Sequence, residues 1–348
     1  MSIRELKVKK IAAIRQSLEE FPESQFSEGL KAAFQINGER QQKFIQPIVK
    51  KTDIDTIMSE PEEEETNTED LSDLLDSLSV FTLSGSQIPT EKKTRALRNL
   101  IELSLPNLKV ALKSIDIKLW SDDIVSDLNK EIMNTENIPG ANATLLIHAA
   151  YYPKISELTS SAPRLLMNNI LLIAKEVGKS VVDGLIVPLL FQSNLDRPQS
   201  EVITKVISES LNVSQRLTLL KAILSDGELY FSSNNENIMT SRKYLRPWGN
   251  SIFQILNTIL IAQPLLSLDK PGLFDLLQPI QTIVELTPKD KSSMQLLLVL
   301  TSKYAQVLVE FDALDTIEKI CQISTMFLKR SVLGQITSIK KNLPLTNN

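Results

Sequence analysis

The sequence predicts an all-α protein, and three observations support this prediction. From about residue 90 to residue 342, apolar residues recur at three- and four-residue steps, which is the period of an amphipathic helix. Aromatic residues make up only 5% of the 348-residue chain, and it contains only 10 glycines, whereas β-rich proteins use both heavily in strands and turns. No segment alternates apolar and polar residues clearly enough to favour a strand over a helix.

Caps and helix breakers divide this long periodic region into short helices. Thr90, Ser121 and Ser214 are candidate N-caps, and Gly227 is a candidate helix end. Residues 287–290 combine a Thr cap, a Pro at the first helical position and an acid at the third. Residues 227–247 interrupt the helical pattern and predict a long polar loop that projects from the helices.

Helix pairs recur at intervals of roughly 40–45 residues, which is typical of helical-hairpin repeats. Ten or more helices of this length do not share one globular core. We therefore expect a right-handed solenoid of antiparallel helix hairpins of the HEAT type, preceded by a short helical N-terminal region.

The charge distribution predicts three regions along the chain. Residues 1–51 have helical periodicity and predict a short helical N-terminal region, and residues 52–89 predict an acidic flexible linker. Within this linker, residues 59–76 contain nine acids and no Lys or Arg, which is typical of a solvated segment. Without them the net charge of −4 becomes 38 bases against 33 acids, a weaker basic excess than nucleic-acid binders usually have. Residues 90–342 predict a helical-repeat, protein-binding domain.

The sequence offers little catalytic chemistry. The chain has one histidine, His148, among apolar neighbours, and one cysteine, Cys321, so it can form no intrachain disulfide. No phosphate-binding glycine loop or zinc-binding histidine motif is present. We therefore predict a protein that is not an enzyme and that has no catalytic residues, metal or cofactor. The longest apolar runs, such as residues 185–191, are too short to span a bilayer, and we expect a soluble, intracellular chain.

The C-terminal segment offers the strongest candidate for a binding site. Residues 319–348 contain five Lys or Arg residues and no acid. On a helical wheel of residues 324–342, Leu328, Val332, Ile336 and Ile339 form an apolar stripe that predicts the core face. Phe327 falls on the opposite side of the wheel. There it has small and basic neighbours, among them Arg330, Ser331 and Lys341. An aromatic residue surrounded by cations is typical of a partner-binding hot spot, so we predict these four as partner-binding residues. The alternative is that Phe327 folds back onto the preceding helix.

Several short motifs resemble one known family. Residues 142–144 read Asn-Ala-Thr, and residues 158–166 read Leu-Thr-Ser-Ser-Ala-Pro-Arg-Leu-Leu. These motifs, together with residues 182–189, 248–260, 287–288 and 294–304 in the same order and Phe-Leu-Lys-Arg-Ser at 327–331, resemble the C-terminal domain of the Fanconi anaemia group E family. The resemblance covers about residues 90–340, and residues 1–87 contribute little to it.

This resemblance implies a non-enzymatic adaptor in the nucleus. Members of the family fold as antiparallel helix hairpins in the Fanconi core complex, an E3 ubiquitin ligase for DNA interstrand-crosslink repair. They bind the group C subunit, alongside other core-complex subunits, and recruit the group D-two substrate for monoubiquitination. No small-molecule substrate or membrane partner is implied. The alternative function is direct binding of DNA or RNA through basic helices, which is not expected because outside 319–348 and the N-terminus the chain lacks a face of clustered Lys and Arg.

Overall fold

The computed structural model describes residues 68–84, 88–192, 195–231 and 243–342. Throughout these ranges all regular secondary structure is helical, which confirms the all-α prediction. The predicted N-terminal region at 1–51 and the first part of the predicted linker lie outside the described residues. No helix within the described ranges is long and apolar enough to cross a membrane.

Residues 68–192 form eight α-helices, a short 3-10 helix (Ile117–Leu119) and a π-helix (Val182–Ile186). The α-helices are α1 (Thr68–Ser84), α2 (Thr90–Glu102), α3 (Leu105–Ser114), α4 (Asp122–Asn134), α5 (Gly140–Ser156), α6 (Arg164–Glu176), α7 (Gly178–Val181) and α8 (Val187–Gln192).

The remaining described residues form nine further α-helices. They are α9 (Arg197–Glu209), α10 (Val213–Leu224), α11 (Glu228–Phe231), α12 (Asn250–Ile261), α13 (Lys270–Leu286), α14 (Lys291–Lys303), α15 (Ala305–Glu310), α16 (Leu314–Ile323) and α17 (Lys329–Asn342).

Alternate helices pack against one another in rows. In one row α2, α4, α6, α9, α12, α14 and α17 each contact the next. A second set of contacts joins α1 to α3 and α3 to α5, and another joins α10 to α13 and α13 to α16. The apolar side chains between these helices form one continuous buried cluster, from Leu74 on α1 to Ile336 on α17.

Helix α1 corrects the predicted linker. Its sequence carries part of the acidic run, yet Leu74, Leu78 and Phe81 lie four and three residues apart on one helical face and are buried. The ring of Phe81 meets that of Trp120 edge-on, with centroids 5.3 Å apart. The compact unit therefore includes α1, and the prediction of a flexible segment through residue 89 is wrong for residues 68–84.

The observed caps confirm some predicted helix ends and correct others. The Ser121 hydroxyl accepts a hydrogen bond from the Ile124 N–H at 3.4 Å, as predicted. Helix α10 is capped by Asn212 rather than Ser214, because Asn212 and Gln215 form a reciprocal capping box. Helix α14 is capped by Asp290, which accepts from the Ser293 N–H at 2.6 Å, so the prediction of Thr287 as its cap is wrong.

The predicted polar loop at 227–247 is anchored at both ends. Gly227 is buried with a φ of +81°, which a side chain would strain. The ring of Phe231 packs edge-on against Phe191. On the other side, the Leu245 N–H donates to Asp226 Oδ1 at 2.6 Å, and Arg246 donates to the Leu224 carbonyl at 2.6 Å. Residues 232–242 lie outside the described residues.

Candidate protein-binding surface

The chain between α16 and α17 is held against the connection that precedes α14. Ser324 is buried, and its hydroxyl donates to the Pro288 carbonyl at 3.1 Å. The neighbouring Thr325 N–H donates to the same carbonyl at 2.9 Å. The Lys329 ammonium donates to the Ser324 carbonyl at 2.7 Å. These bonds fix the backbone on both sides of Phe327.

Phe327 lies in this turn with 71% of its surface exposed. Helix α17 begins only at Lys329, so the predicted helix from residue 324 is wrong for its first turn. The Phe327 carbonyl accepts from the Arg330 N–H at 3.1 Å. The outward orientation expected for Phe327 is therefore found, although it results from an anchored turn and not from a helical face.

The apolar stripe predicted for α17 is found in part. Val332 and Ile336 are buried, as predicted. Leu328 and Ile339 are only half-buried, because Leu328 precedes the helix and Ile339 lies near its end.

Two further exposed apolar residues lie close to the same turn. Leu286, at the end of α13, is 75% exposed and precedes Pro288 by two residues. Ile323, at the end of α16, is 39% exposed and precedes Thr325 by two residues. Leu286, Ile323 and Phe327 are thus each within two residues of the Pro288–Thr325 hydrogen bond. We call these three residues the apolar corner.

Sequence reasoning missed two members of the apolar corner. Leu286 and Phe327 are 41 positions apart in the chain, and only the packing of neighbouring helix pairs brings their loops together. The available signal was the position of Leu286 and Ile323 at the ends of helices, where an apolar side chain has fewer neighbours.

Exposed charged residues lie close in sequence to the apolar corner. Lys289 and Arg330 are exposed, each close in sequence to one side of the Pro288–Thr325 bond. Glu285, next to Leu286, is also exposed and accepts a hydrogen bond from Gln281 at 2.8 Å. Exposed cations beside an apolar anchor favour partners with acidic flanks.

The four residues predicted for the site are not all together. Arg330 and Ser331 lie exposed in the first turn of α17, next to Phe327. Lys341 is also exposed, but it lies at the other end of α17, about 18 Å along the axis at 1.5 Å per residue. Its neighbour Lys340 is paired with Asp315 and Glu318, at 2.8 Å each. The partner-binding role of all four residues remains a prediction.

The contacts and burial of His148 and Cys321, the two residues with catalytic potential, indicate structural roles. His148 on α5 donates from Nδ1 to the Gly184 carbonyl at 2.9 Å and stacks on Tyr152, and burial lowers its pKa. Cys321 on α16 is fully buried, and burial raises the pKa of its thiol to about 11, which keeps it protonated at neutral pH. Among the described residues, no three His, Cys, Asp or Glu side chains are grouped as a metal site would require.

The fold and this surface define a helical protein with an exposed apolar corner and a basic flank. Comparison with models of known protein families finds no match, and comparison with curated proteins finds no significant match.

Proposed function

We propose that the described helices form a solenoid of HEAT-type hairpins that works as a non-enzymatic adaptor. In this proposal the chain is a subunit of the Fanconi core complex in the nucleus. It binds the group C subunit and holds the group D-two substrate near the ubiquitin ligase. The observation that best supports an adaptor is the apolar corner around Phe327, since an exposed aromatic on a rigid turn is suited to protein binding.

The rows of alternate helices support the solenoid. In a solenoid each repeat contacts its neighbours, and here α2 through α17 form such a succession.

Buried polar side chains give a second, independent indication of a repeat. Asn142 donates to the Leu103 carbonyl at 2.8 Å, just beyond the end of α2, and Gln199 donates to the Leu158 carbonyl at 3.0 Å, just beyond α5. Arg216 donates to the Ala262 carbonyl at 2.7 Å, beyond α12, and Tyr304 donates to the Leu260 carbonyl at 2.9 Å. Each pair is separated by 39 to 46 positions, close to the period of HEAT hairpins.

The residues that carry the resemblance to the Fanconi group E family fall into two groups. Some make contacts within the fold, and others are exposed. Asn142 is buried and satisfies the carbonyls at the end of α2. Ser161 donates to the Glu201 carboxylate at 3.0 Å and so links neighbouring helix pairs. Phe327 and Arg330 make no comparable contribution to the interior, because both are exposed. A motif that is exposed on an anchored turn is more informative about binding than one that packs the interior.

Direct nucleic-acid binding is the alternative function, and the pairing of the C-terminal cations bears on it. Two of the C-terminal cations already have partners within the chain: Lys340 binds two carboxylates, and Lys329 binds a main-chain carbonyl. Fewer free cations remain for a phosphate backbone.

The proposal is tested by co-purification of the full chain with a group C homologue and with a group D-two homologue. We expect a stable complex with group C, and capture of group D-two that Phe327→Ala abolishes. Leu119→Ala is the matched control, because Leu119 is an exposed apolar residue on the distant 3-10 helix, 56% exposed. Absence of both complexes, together with a salt-sensitive shift of DNA, would support the alternative.

A further inference from the structure

A groove of about 510 Å³ lies between α9, α12 and α14, apart from the apolar corner. Its walls include Ser208 on α9, Gln254, Asn257 and Thr258 on α12, and Gln295 on α14. The volume is within the range of ligand-binding clefts.

The groove is lined entirely by uncharged residues. Its polar groups are amides and hydroxyls, and a side-chain amide both donates and accepts hydrogen bonds. Such a lining complements neutral groups, because it offers hydrogen-bond donors and acceptors but no charge to pair with an ion.

Several of these polar groups are available to a ligand. Within the described part of the chain, the side-chain amides of Gln254 and Gln295 make no hydrogen bond to another protein group, and the Asn257 Oδ1 accepts none although it is buried. Thr258 donates to the Gln254 carbonyl at 2.9 Å and keeps its acceptor lone pairs. At one end, the Ser292 hydroxyl donates to Asn250 Oδ1 at 3.0 Å and ties α14 to α12.

The apolar part of the groove lies along α12. Phe253 forms part of the floor, and Ile261 is 45% exposed at the end of the helix. From Phe253 to Ile261 the helix rises by about 12 Å, which is the length of about four residues of extended chain.

We propose that this groove binds an extended, uncharged segment of a partner polypeptide through its main chain. An extended peptide presents neutral donors and acceptors alternately along a line, which complements a row of amides. Exposed Ile261 offers one side chain of the segment an apolar contact. A single-stranded nucleic acid also offers neutral base edges, but its phosphates would need cations, and the lining contains none. The proposal does not depend on Phe327 or on membership of any complex.

The first experiment selects peptides from a random dodecapeptide phage library on the full chain. We expect enriched peptides with an uncharged stretch of about four residues. Replacing Gln254 and Gln295 together by Ala should raise the Kd of a synthetic copy at least tenfold. The matched control replaces Gln278 and Gln306 by Ala, two exposed glutamines outside the groove, and should leave the Kd unchanged. All four side chains are exposed, and thermal melting verifies that both variants fold.

A second measurement tests main-chain recognition directly. N-methylation of alternate peptide bonds in the enriched peptide should also raise the Kd at least tenfold. Failure to enrich any peptide, equal binding by the groove variant, or indifference to N-methylation would each overturn the proposal. Displacement of the peptide by a twelve-residue thymidine oligonucleotide would overturn it in favour of nucleic acid.

Discussion

Two arginines of this chain occupy opposite environments, and the contrast separates structural from binding chemistry. Arg216 is fully buried in the interior, where it donates to three main-chain carbonyls beyond or near the end of α12, those of Ile259, Ala262 and Pro264. Arg330 is exposed on the first turn of α17 beside Phe327. An arginine thus links α10 to the end of α12 in the interior, whereas another is exposed to solvent at the surface.

The interior position has a physical basis. The last carbonyls of a helix lack hydrogen-bond donors within it and carry partial negative charge. A cation placed there donates hydrogen bonds to these carbonyls and offsets their charge. Burial lowers the pKa of Arg216, yet a guanidinium retains its charge under these conditions. The comparison therefore predicts that interior variants change stability, whereas variants at the apolar corner change binding.

The largest effect is expected for Arg216→Ala. It leaves three main-chain carbonyls, one of them on buried Ile259, without this donor and removes a large packed side chain, so we expect the free energy of unfolding to fall by about 4 kcal/mol. Urea denaturation measures this. Arg216→Lys, which keeps the charge but not the forked donors, should lose less. A loss below about 1 kcal/mol for the Ala variant would break the comparison.

The next effect tests whether α1 belongs to the helical unit. Phe81→Ala should lower the free energy of unfolding by about 3 kcal/mol, because it opens a cavity against Trp120. Val80→Ala is the control, since Val80 lies on the same helix and is partly exposed. If both variants have the melting temperature of the wild-type chain, α1 does not contribute to the stability of the helical unit and is a linker.

Phe327→Ala should act on binding alone. We expect a loss of about 2 kcal/mol or more in affinity for the proposed group D-two partner, with an unchanged melting temperature. Ile336→Ala, in the buried half of α17, should instead destabilise the fold by about 2–5 kcal/mol. For both variants, pull-down measures the loss of binding and thermal melting measures the change in stability. A destabilised Phe327→Ala would place Phe327 in the core.

Arg330→Glu should have a smaller effect on the same binding. We expect a loss of about 1 kcal/mol at low salt that shrinks as salt rises, because exposed charges are screened. Titration of the substrate at several ionic strengths measures it. A loss that is independent of salt would mean that Arg330 makes a buried contact in the complex.

The smallest effect concerns His148 and pH. Burial lowers the pKa of His148, so the unfolded chain binds a proton more readily than the folded chain. Stability should therefore be fully retained above the unfolded pKa of about 6.5 and be lost as pH falls from that value through the lower folded pKa. Urea denaturation between about pH 7 and pH 5 should show this slope in the wild type and a shallower one in His148→Gln. Equal slopes would contradict the prediction.

The features that the sequence predicted correctly are those that depend on residues close together in the chain. The helices between residues 90 and 342 follow from apolar spacing within each segment, and the buried positions of Val332 and Ile336 follow from the same spacing. The cap at Ser121 was also predictable, since capping involves residues three apart. Helix α1 was missed because the prediction relied on the acids of its first half and not on the apolar spacing of Leu74, Leu78 and Phe81.

The sequence by itself determined the fold class and the chemical character of this protein: a helical chain with one histidine, one cysteine and a basic C-terminal segment. Only the tertiary structure decided that a Pro288–Thr325 hydrogen bond links the loop after Leu286 to the loop before Phe327, that Arg216 is buried, and that the amides of α12 and α14 share one groove. The physical reason is the sequence separation between the residues that determine each feature. Periodicity records which face of a helix avoids water, but the meeting of two loops or two helix faces depends on the packing of elements some 40 residues apart.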